Sequence, residues 1–491
     1  MHGARLSLAA VLCTGLAGLA IPALAQKPVP LSDDVRRFVS VDAPRVVLSH
    51  VRVIDGKGNP AVEDRNVVLE EGRILSIGPG ADTAEAPGQR VLDLRGHTVL
   101  PGLVGMHDHL YHIARPNLRA DGTAESPILV PQMTFSAPRL YLAGGVTTIR
   151  TAGSVEPYAD LNVKRAIDEG RMAGPRVEVT GPYLEGAGSP FIQMHNLAGP
   201  DEARRFVEYW ADLGATSFKA YMFITRGELE AAIQAAHARG LKMTGHLCSV
   251  TYPEAADLGI DDLEHGFFVN TQLDPDKKPD ACSKEQGRPT LKAMEPESEA
   301  ARQLIAKLVA RHVAITSTLP VFEHSVPNRP PLRAEVVEAL SPQARESFLI
   351  SRARRAATSP EVPLADFKRA MALERAFAAA GGLLIAGCDP TGNGGTLPGF
   401  GDQREVELLV EAGFSPVEAI KIATYNGAIF LGKADRIGSI APGLAADLLV
   451  VKGDPSTKIE EIEKPVLVFK DGVGYDPGRL LESVRGRYGQ Y

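Results

Sequence analysis

Cysteine is scarce in this sequence, with only four among 491 residues. Cys13 lies in an apolar N-terminal stretch, which leaves Cys248, Cys282 and Cys388 in the rest of the chain. An odd number of cysteines excludes a disulfide scaffold as the main source of stability. We expect Cys248 and Cys388 to be buried as free thiols, because free cysteine is among the most buried residue types. Whether any two of the three form a disulfide stays open.

Excess positive charge is also absent. Lysine and arginine number 53 against 60 aspartates and glutamates, the formal net charge is -7, and no basic stripe interrupts the chain. A protein that binds nucleic acid needs a basic surface, so we expect no nucleic-acid partner.

Long apolar runs are missing except at residues 6–21. That run is short for a membrane span, which needs about 20 residues. Arg5 precedes it and Ala23-Leu24-Ala25 follows it, a pattern that predicts a cleaved signal peptide over residues 1–25, with a retained anchor as the alternative. We therefore expect a secreted or periplasmic protein with no stable membrane span after removal of the signal.

Two separate parts of the chain have the pattern of a small β-sheet. After a polar lead-in at 26–44, residues 45–99 alternate apolar and polar side chains, which is typical of half-buried antiparallel strands. Residues 434–475 return to this pattern before a tail at 476–491. We expect 45–99 and 434–475 to form one composite domain.

The segment between them, 100–433, alternates short apolar runs with helical stretches, which indicates an α/β fold with a parallel sheet. There are eight such runs, at 100–107, 145–153, 175–181, 215–221, 241–247, 261–266, 312–319 and 383–389. Eight strands close a (β/α)8 barrel of the TIM type. Three connections are longer than a barrel needs, 110–138, 267–300 and 320–365. They either shape a substrate pocket or lid, or are decoration or an oligomer contact.

Candidate metal ligands follow from the ends of the predicted strands. His107 and His109 are two residues apart on the first strand, so their side chains share a face. Enzymes with this barrel place their chemistry at the carboxyl ends of the strands. The other polar residues at those ends are Lys219, His246, His265 and Asp389. Imidazole and carboxylate ligands suit several divalent metals, of which we expect zinc.

Lys219 is the unusual member, because an ammonium group beside two cations would be repelled. The amine is then either neutral or converted by carbon dioxide to a carbamate, which can bridge two ions about 3.5 to 4 Å apart. A lysine that pairs with Asp389 or covers the barrel mouth is the structural alternative.

The motifs resemble those of the amidohydrolase superfamily, and within it the two-metal, carboxylated-lysine branch with the imidazolonepropionase-like proteins and Xaa-Pro dipeptidases. The resemblance runs along nearly the whole chain after the signal, through VRVIDGKG, PGLVGMHDHLY, GATSFKAY, GHL, LEHG, AGCDPTG and GSIAPGLAADLLVV. It implies that the composite domain is a β-sandwich.

The resemblance also implies a role for each ligand. His107, His109 and Asp389 would hold the more buried ion, and His246 and His265 the more exposed one. Carboxylated Lys219 and a hydroxide would bridge the two. Asp389 would accept the proton of the hydroxide and deliver it to the leaving nitrogen, so Asp389 and Lys219 are the expected catalytic residues.

Substrate contacts are less well defined. Thr151 follows Arg150 where relatives commonly carry aspartate, which leaves substrate handling near the second strand open. His195 is either a pocket histidine, as in relatives, or part of a surface loop, which we favour. Tyr111, His112 and Tyr221 are further candidates for the pocket wall.

The sequence therefore predicts a metal-dependent hydrolase that cleaves an amide bond of a small molecule, such as a dipeptide or N-acyl amino acid, through a hydroxide bridging two metals. An esterase, lactonase or phosphotriesterase could use the same site. A non-catalytic metal-binding or ligand-binding envelope protein is the third possibility, and a homo-oligomer stays open.

Overall fold

The structure is a computed structural model that describes residues 29–113, 130–189, 191, 193–392 and 395–489. The predicted signal peptide, 1–25, and residues 114–129 of the first long connection lie outside the described residues. None of the helices within the described ranges combines the length and apolar character that a membrane crossing requires.

One nine-stranded sheet joins segments from both ends of the chain. Its strands are β1 (Val39–Val41), β2 (Arg45–Val53), β3 (Val62–Glu70), β4 (Arg73–Pro79), β5 (Gln89–Asp93), β6 (His97–Pro101), β15 (Leu448–Lys452), β16 (Pro465–Lys470) and β17 (Val473–Tyr475). Their order is β1-β17-β16-β15-β6-β2-β3-β4, with β5 paired to β2. The central contact is the antiparallel pair β6 and β15, so the two ends of the chain depend on each other for their hydrogen bonds.

Where the sequence analysis expects a β-sandwich, all nine strands belong to one hydrogen-bonded sheet, with eight on a single path and β5 paired to β2 beside it. The path curls around an apolar core of its own, and the β3–β4 turn meets the β16–β17 turn. A Cβ atom on Gly472 would lie 2.7 Å from the Cα of Gly72, so the two turns can meet only without side chains. Residues 39–41, within the expected lead-in, form β1 of the sheet.

Eight parallel strands follow the small sheet, as the sequence predicts. They are β7 (Leu103–Asp108), β8 (Val146–Thr151), β9 (Arg176–Glu178), β10 (Ser217–Ala220), β11 (Lys242–Gly245), β12 (Asp262–Glu264), β13 (Ala314–Ser317) and β14 (Leu384–Ala386). β7 to β9 form one group and β10 to β14 another.

Two further contacts join these groups. A parallel bridge pairs Thr180, just past β9, with Ser217 of β10. On the other side, the Asp389 amide donates to the carbonyl of His107 over 2.9 Å. The carboxyl ends of all eight strands therefore face one region.

Helices cover the outside of these strands and fill the long connections. They are α1 (Asp33–Arg36), α2 (Ser136–Ala143), α3 (Pro157–Asp168), α4 (Pro200–Asp212), α5 (Arg226–Ala238), α6 (Tyr252–Leu258), α7 (Arg288–Ala293), α8 (Glu299–Ala310), α9 (Leu319–Glu323), α10 (Ala334–Ala339), α11 (Pro342–Ala356), α12 (Glu361–Ala379), α13 (Phe400–Glu411), α14 (Pro416–Lys421), α15 (Gly427–Phe430) and α16 (Pro477–Val484). A π-helical turn, Ile422–Asn426, joins α14 to α15, and a 3-10 turn covers Ile459–Glu463.

Helix α5 shows how local sequence produces these elements. Thr225 precedes the helix, and its hydroxyl accepts a hydrogen bond from the Glu228 amide. The Thr225 amide in turn donates to the Glu228 carboxylate, which completes a capping box. Leu229, Ala232 and Ile233 recur at helical spacing and are buried against the strands.

One expectation about the cysteines is wrong. Cys248 is buried, but it forms a disulfide with Cys282 instead of remaining a free thiol. The chain reversal after β11 brings the connection 267–300 back over the strand end, and the two Cα atoms lie 4.8 Å apart, within the usual range for a disulfide. Cys388 is a buried free thiol, as expected.

Candidate metal centre

The six predicted ligands converge in one cavity at the carboxyl ends of the parallel strands. The cavity has a volume of about 150 Å³, and all six side chains line it. His109 Nε2 lies 3.1 Å and His107 Nε2 lies 3.6 Å from Asp389 Oδ1. Lys219 Nζ lies 3.1 Å from His107 Nε2.

His246 and His265 complete the group. The ring of His265 lies 4.5 Å from the ring of His107 on one side and 4.5 Å from that of His246 on the other. His265 is 3% exposed, whereas His246 is only half-buried. His246 is therefore the ligand nearest to the open side of the cavity.

Two of these residues have strained backbone conformations. The φ angles of His265 and Asp389 are 69° and 50°, in the left-handed region that few residues other than glycine adopt. Such strain persists only where the surrounding structure holds it, and it is concentrated at functional sites.

A buried ion-pair network orients His107. Glu264 Oε2 accepts a hydrogen bond from Nδ1 of His107 over 2.8 Å, so Nε2 of that ring presents its lone pair to the cavity. The other Glu264 oxygen accepts from Arg150 over 3.0 Å, and Arg150 also donates to Asp262 over 3.0 Å. Arg150 thus bridges two carboxylates at the centre of the strands. The sequence analysis did not assign these roles to Glu264 and Arg150, although charged residues inside apolar strands are a visible signal.

A second contact orients His265. Its Nδ1 atom lies 2.9 Å from the hydroxyl of Thr318, which follows β13. This contact directs the opposite nitrogen, Nε2, away from Thr318. His107 and His265 are thus both oriented by a polar partner on the ring nitrogen opposite Nε2.

Burial keeps the four imidazoles neutral. It lowers the pKa of each ring below its usual value, and that of His246 to about 3. Each ring therefore keeps a lone pair at neutral pH, which is the form that binds a metal.

Lys219 is also shifted by burial. Desolvation lowers the pKa of its amine to about 8, against the opposing effects of Glu264 and Asp389. At pH 7 about a tenth of the amine is then neutral, compared with well under a thousandth for an ordinary lysine.

Asp389 stays ionised. Burial alone would raise the pKa of its carboxyl group, but the contacts with His107, His109 and Lys219 lower that pKa below the usual range. Among the described residues that line the cavity, it is the only carboxylate.

The rest of the cavity wall is apolar, apart from three tyrosines and Thr391. Apolar side chains come from the first connection, the β8 loop and the β9 loop, namely Ile113, Val130, Val155, Phe191 and Met194. The hydroxyls of Tyr111 and Tyr183 are 2.6 Å apart, and Tyr111 stacks on His109 with ring centres 4.4 Å apart. Tyr221 packs between Tyr183 and His246.

Tyr111 and Tyr221, two of the four candidate substrate residues, therefore line the cavity. The sequence analysis missed Tyr183. The rule that functional residues follow the carboxyl ends of the strands would have found it, since Tyr183 lies in the loop after β9.

The other two candidates, His195 and His112, are not brought to the cavity wall. The His195 side chain is 53% exposed, binds Glu202 over 2.9 Å and stacks on Phe206, as expected for a surface loop. His112 is buried beside the cavity, where its ring meets that of Tyr488 at 5.5 Å. Burial lowers the pKa of His112 to about 4.

Tyr488 connects a distant part of the chain to the site. Its side chain is fully buried, and its hydroxyl donates to the carbonyl of Pro390 over 3.1 Å. Pro390 directly follows Asp389, so Tyr488 fixes the backbone that carries the catalytic candidate.

The donor atoms fit a bound divalent metal. His107, His109 and Asp389 each offer one ligand atom, and these atoms lie within 4.8 Å of one another. Nδ1 of His109 is buried without a hydrogen-bond partner in the described structure, and Nε2 of the same ring faces Asp389 over 3.1 Å, so the ring meets no polar partner other than a fellow candidate ligand. Nitrogen and carboxylate donors of this kind are typical of catalytic zinc and related metals.

Comparisons with known proteins identify relatives. The amidohydrolase family model matches residues 98–473. An imidazolonepropionase from Rhizorhabdus wittichii is 28% identical over 254 residues, which cover 43% of this chain and 62% of that protein. The chain thus spans less than two thirds of this curated relative.

Solved structures show the same fold. A Xaa-Pro dipeptidase crystallised with methionine in its active site superposes with a TM-score of 0.65 at 22% identity, over 88% of this chain and 100% of that one. Bottromycin amidohydrolase superposes with a TM-score of 0.66 at 20% identity, over 93% of this chain and 95% of that one. These neighbours imply a TIM-barrel-like α/β fold.

Proposed function

We propose, because the chain belongs to the amidohydrolase family, that it is a metal-dependent hydrolase that cleaves an amide bond of a small molecule. The observation that carries this proposal is the meeting of four neutral imidazoles, Lys219 and Asp389 in one buried cavity. Its setting would be a closed (β/α)8 barrel over residues 100–433, with the composite domain at 45–99 and 434–475.

Two zinc ions are the proposed cofactors. His107, His109 and Asp389 would hold the inner ion, and His246 and His265 the outer one. Two divalent ions bound there would supply a hydroxide nucleophile near neutral pH and polarise the carbonyl oxygen of the substrate.

Lys219 is the proposed bridge as a carbamate. The lone pair of the neutral amine would form a bond to the carbon of carbon dioxide, one carbon-oxygen π pair would move to oxygen, and the proton released from the nitrogen would pass to water. The lowered pKa of Lys219 supports this step, because it increases the neutral fraction of the amine.

Asp389 is the proposed proton carrier. Its ionised carboxylate can take a proton from the attacking water and pass it to the leaving nitrogen of the amide. The apolar wall and the three tyrosines limit the water around that transfer.

The proposed substrate is a linear amide, such as a dipeptide or an N-acyl amino acid. Ile113, Val130, Val155, Phe191 and Met194 support a substrate with an uncharged apolar group beside the scissile bond. The disulfide between Cys248 and Cys282 supports secretion or a periplasmic location, because such bonds persist in oxidising compartments.

The test is metal content and activity in matched lysine variants. Lys219→Met should reduce bound metal below two ions per chain and abolish most amide hydrolysis, because it removes the bridge. Lys242→Met is the control, since Lys242 lies on the neighbouring strand β11 and its side chain is 44% exposed. Unchanged metal content in Lys219→Met contradicts the bridging role.

A substrate screen separates the remaining possibilities. Dipeptides and N-acyl amino acids are assayed beside matched esters and lactones with the metal-loaded enzyme. Faster turnover of the amides supports the proposal, and turnover of esters alone replaces it with an esterase. Full metal content without turnover of any substrate indicates a binding protein.

A further inference from the structure

A second cavity lies outside the metal centre. It has a volume of about 380 Å³ and is enclosed by the connection 320–365, helix α13 and the 3-10 turn Ile459–Glu463. None of its lining residues lines the metal-centre cavity. Its volume is within the range of cavities that bind small molecules.

Most of its wall is apolar. The lining includes Pro320, Pro330, Pro331, Leu332, Val336, Phe348 and Phe400. Leu332 is 53% exposed, so an apolar surface is open to solvent at the mouth. An apolar ligand body would be removed from water by these side chains.

One side of the cavity is acidic. Glu407, Glu460 and Glu463 all line it. The Glu407 side chain is 7% exposed; its Oε2 accepts from Arg404 over 2.5 Å, while its Oε1 is buried with no hydrogen-bond partner in the described structure. A buried acceptor without a donor is costly, so a ligand that donates a hydrogen bond to this atom would be stabilised there.

The two arginines in the wall are already engaged. Arg404 donates to both oxygens of Glu323 over 3.0 and 2.7 Å, and Arg333 donates to Glu463 over 2.7 Å. Three carboxylates thus face the cavity with two arginines, and both arginines already have carboxylate partners: Arg333 pairs with Glu463, and Arg404 pairs with Glu323, which it shares with Arg329. Burial, and next the charge of Glu463, raise the pKa of Glu407 to about 7, so that at neutral pH a proton held by Glu407 can donate to Glu463. An ammonium group would take the place of that proton between the two carboxylates.

We propose that this cavity binds a small apolar amine in its ammonium form. The ammonium group would donate to Oε1 of Glu407 and meet the charge of Glu463, while the apolar body packs on Phe348 and Phe400. An anion is disfavoured by the carboxylates, and a neutral hydrocarbon leaves Oε1 without a donor.

Calorimetry of the metal-loaded protein with three probes tests the chemistry of the ligand. Benzylammonium carries both the charge and the ring. Benzyl alcohol keeps the ring without the charge, and methylammonium keeps the charge without the ring. Benzylammonium should bind at least about tenfold more tightly than either of the other two.

Two variants on the same helix locate the site. Glu407→Gln should weaken benzylammonium binding about tenfold or more, because it removes the charge while an amide can still accept from Arg404. Glu411→Gln, one turn further along α13 and outside the cavity wall, should bind as the parent does. Leu332→Asn, at the exposed mouth, should weaken binding without affecting folding.

Three results would overturn the proposal. These are no saturable binding of benzylammonium, equal affinity for benzyl alcohol, or unchanged affinity in Glu407→Gln. The last result would place any bound amine elsewhere, including the metal centre.

Discussion

Glu374 on helix α12 gives the chain a stability that depends on pH. Its side chain is fully buried, Ser317 donates to Oε2 over 2.8 Å, and Oε1 has no partner among the described residues. Burial raises the pKa of Glu374 from 4.5 to about 8. The carboxyl group is therefore neutral in the folded protein at pH 7 and ionised in the unfolded chain.

The sign of the effect follows from proton binding. Between pH 4.5 and about 8 the folded state binds one more proton than the unfolded state, so the stability of the parent protein falls as pH rises. Each pH unit in this window is worth about 1.4 kcal/mol. Glu374→Gln keeps the shape of the neutral acid and does not ionise. Relative to the parent, its free energy of unfolding should rise by about 3 to 4 kcal/mol between about pH 5 and about pH 8.

Urea unfolding at several pH values measures this difference. Trp210, the one tryptophan of the chain, is buried on α4 and reports unfolding by its fluorescence. Glu208→Gln removes the same charge at an exposed position of α4 and should show no comparable pH dependence. If the difference between Glu374→Gln and the parent stays constant with pH, the burial argument is refuted.

Two further substitutions test contacts around the site. Tyr488→Phe should lower kcat about five- to tenfold with little change in KM, because it removes a hydrogen bond worth about 1 kcal/mol from the Pro390 carbonyl. An unchanged kcat in steady-state assays rejects this positioning role. Cys282→Ser opens a loop with a sequence separation of 34 and should cost about 3 to 4 kcal/mol in unfolding free energy. Reductant should lower the free energy of unfolding of the parent to that of this variant and leave the variant unchanged. A parent whose stability does not respond to reductant would contradict a stabilising disulfide.

The sequence predicts the parallel strands well because their signal is local. Each apolar run is followed by a helical segment, and the order alone places His107, Lys219 and Asp389 at one end. Short elements have no such periodicity. The three residues of β1 are too few to show an alternation, and their pairing with β17 is set only by tertiary contact.

The parts of the site that the sequence does not predict depend on distant contacts. Tyr488 reaches Pro390 across 98 positions, and no local pattern connects them. The disulfide likewise depends on the path of the connection that carries Cys282. His112 differs, because the alternation that begins with His107 and His109 continues through Tyr111 and Ile113 at the cavity wall and turns the side chain between them away.

The pairing of β6 with β15 has a consequence for synthesis on the ribosome. Residues 97–101 can pair with residues 448–452 only after the latter have been synthesised, roughly 350 residues later. At 5 to 20 residues per second this takes roughly 20 to 70 s of translation. Throughout that interval the nascent chain carries strands with an unpaired edge, the kind of surface that recruits other extended chains. Efficient production of this protein therefore requires that the emerging N-terminal strands be shielded until translation is nearly finished.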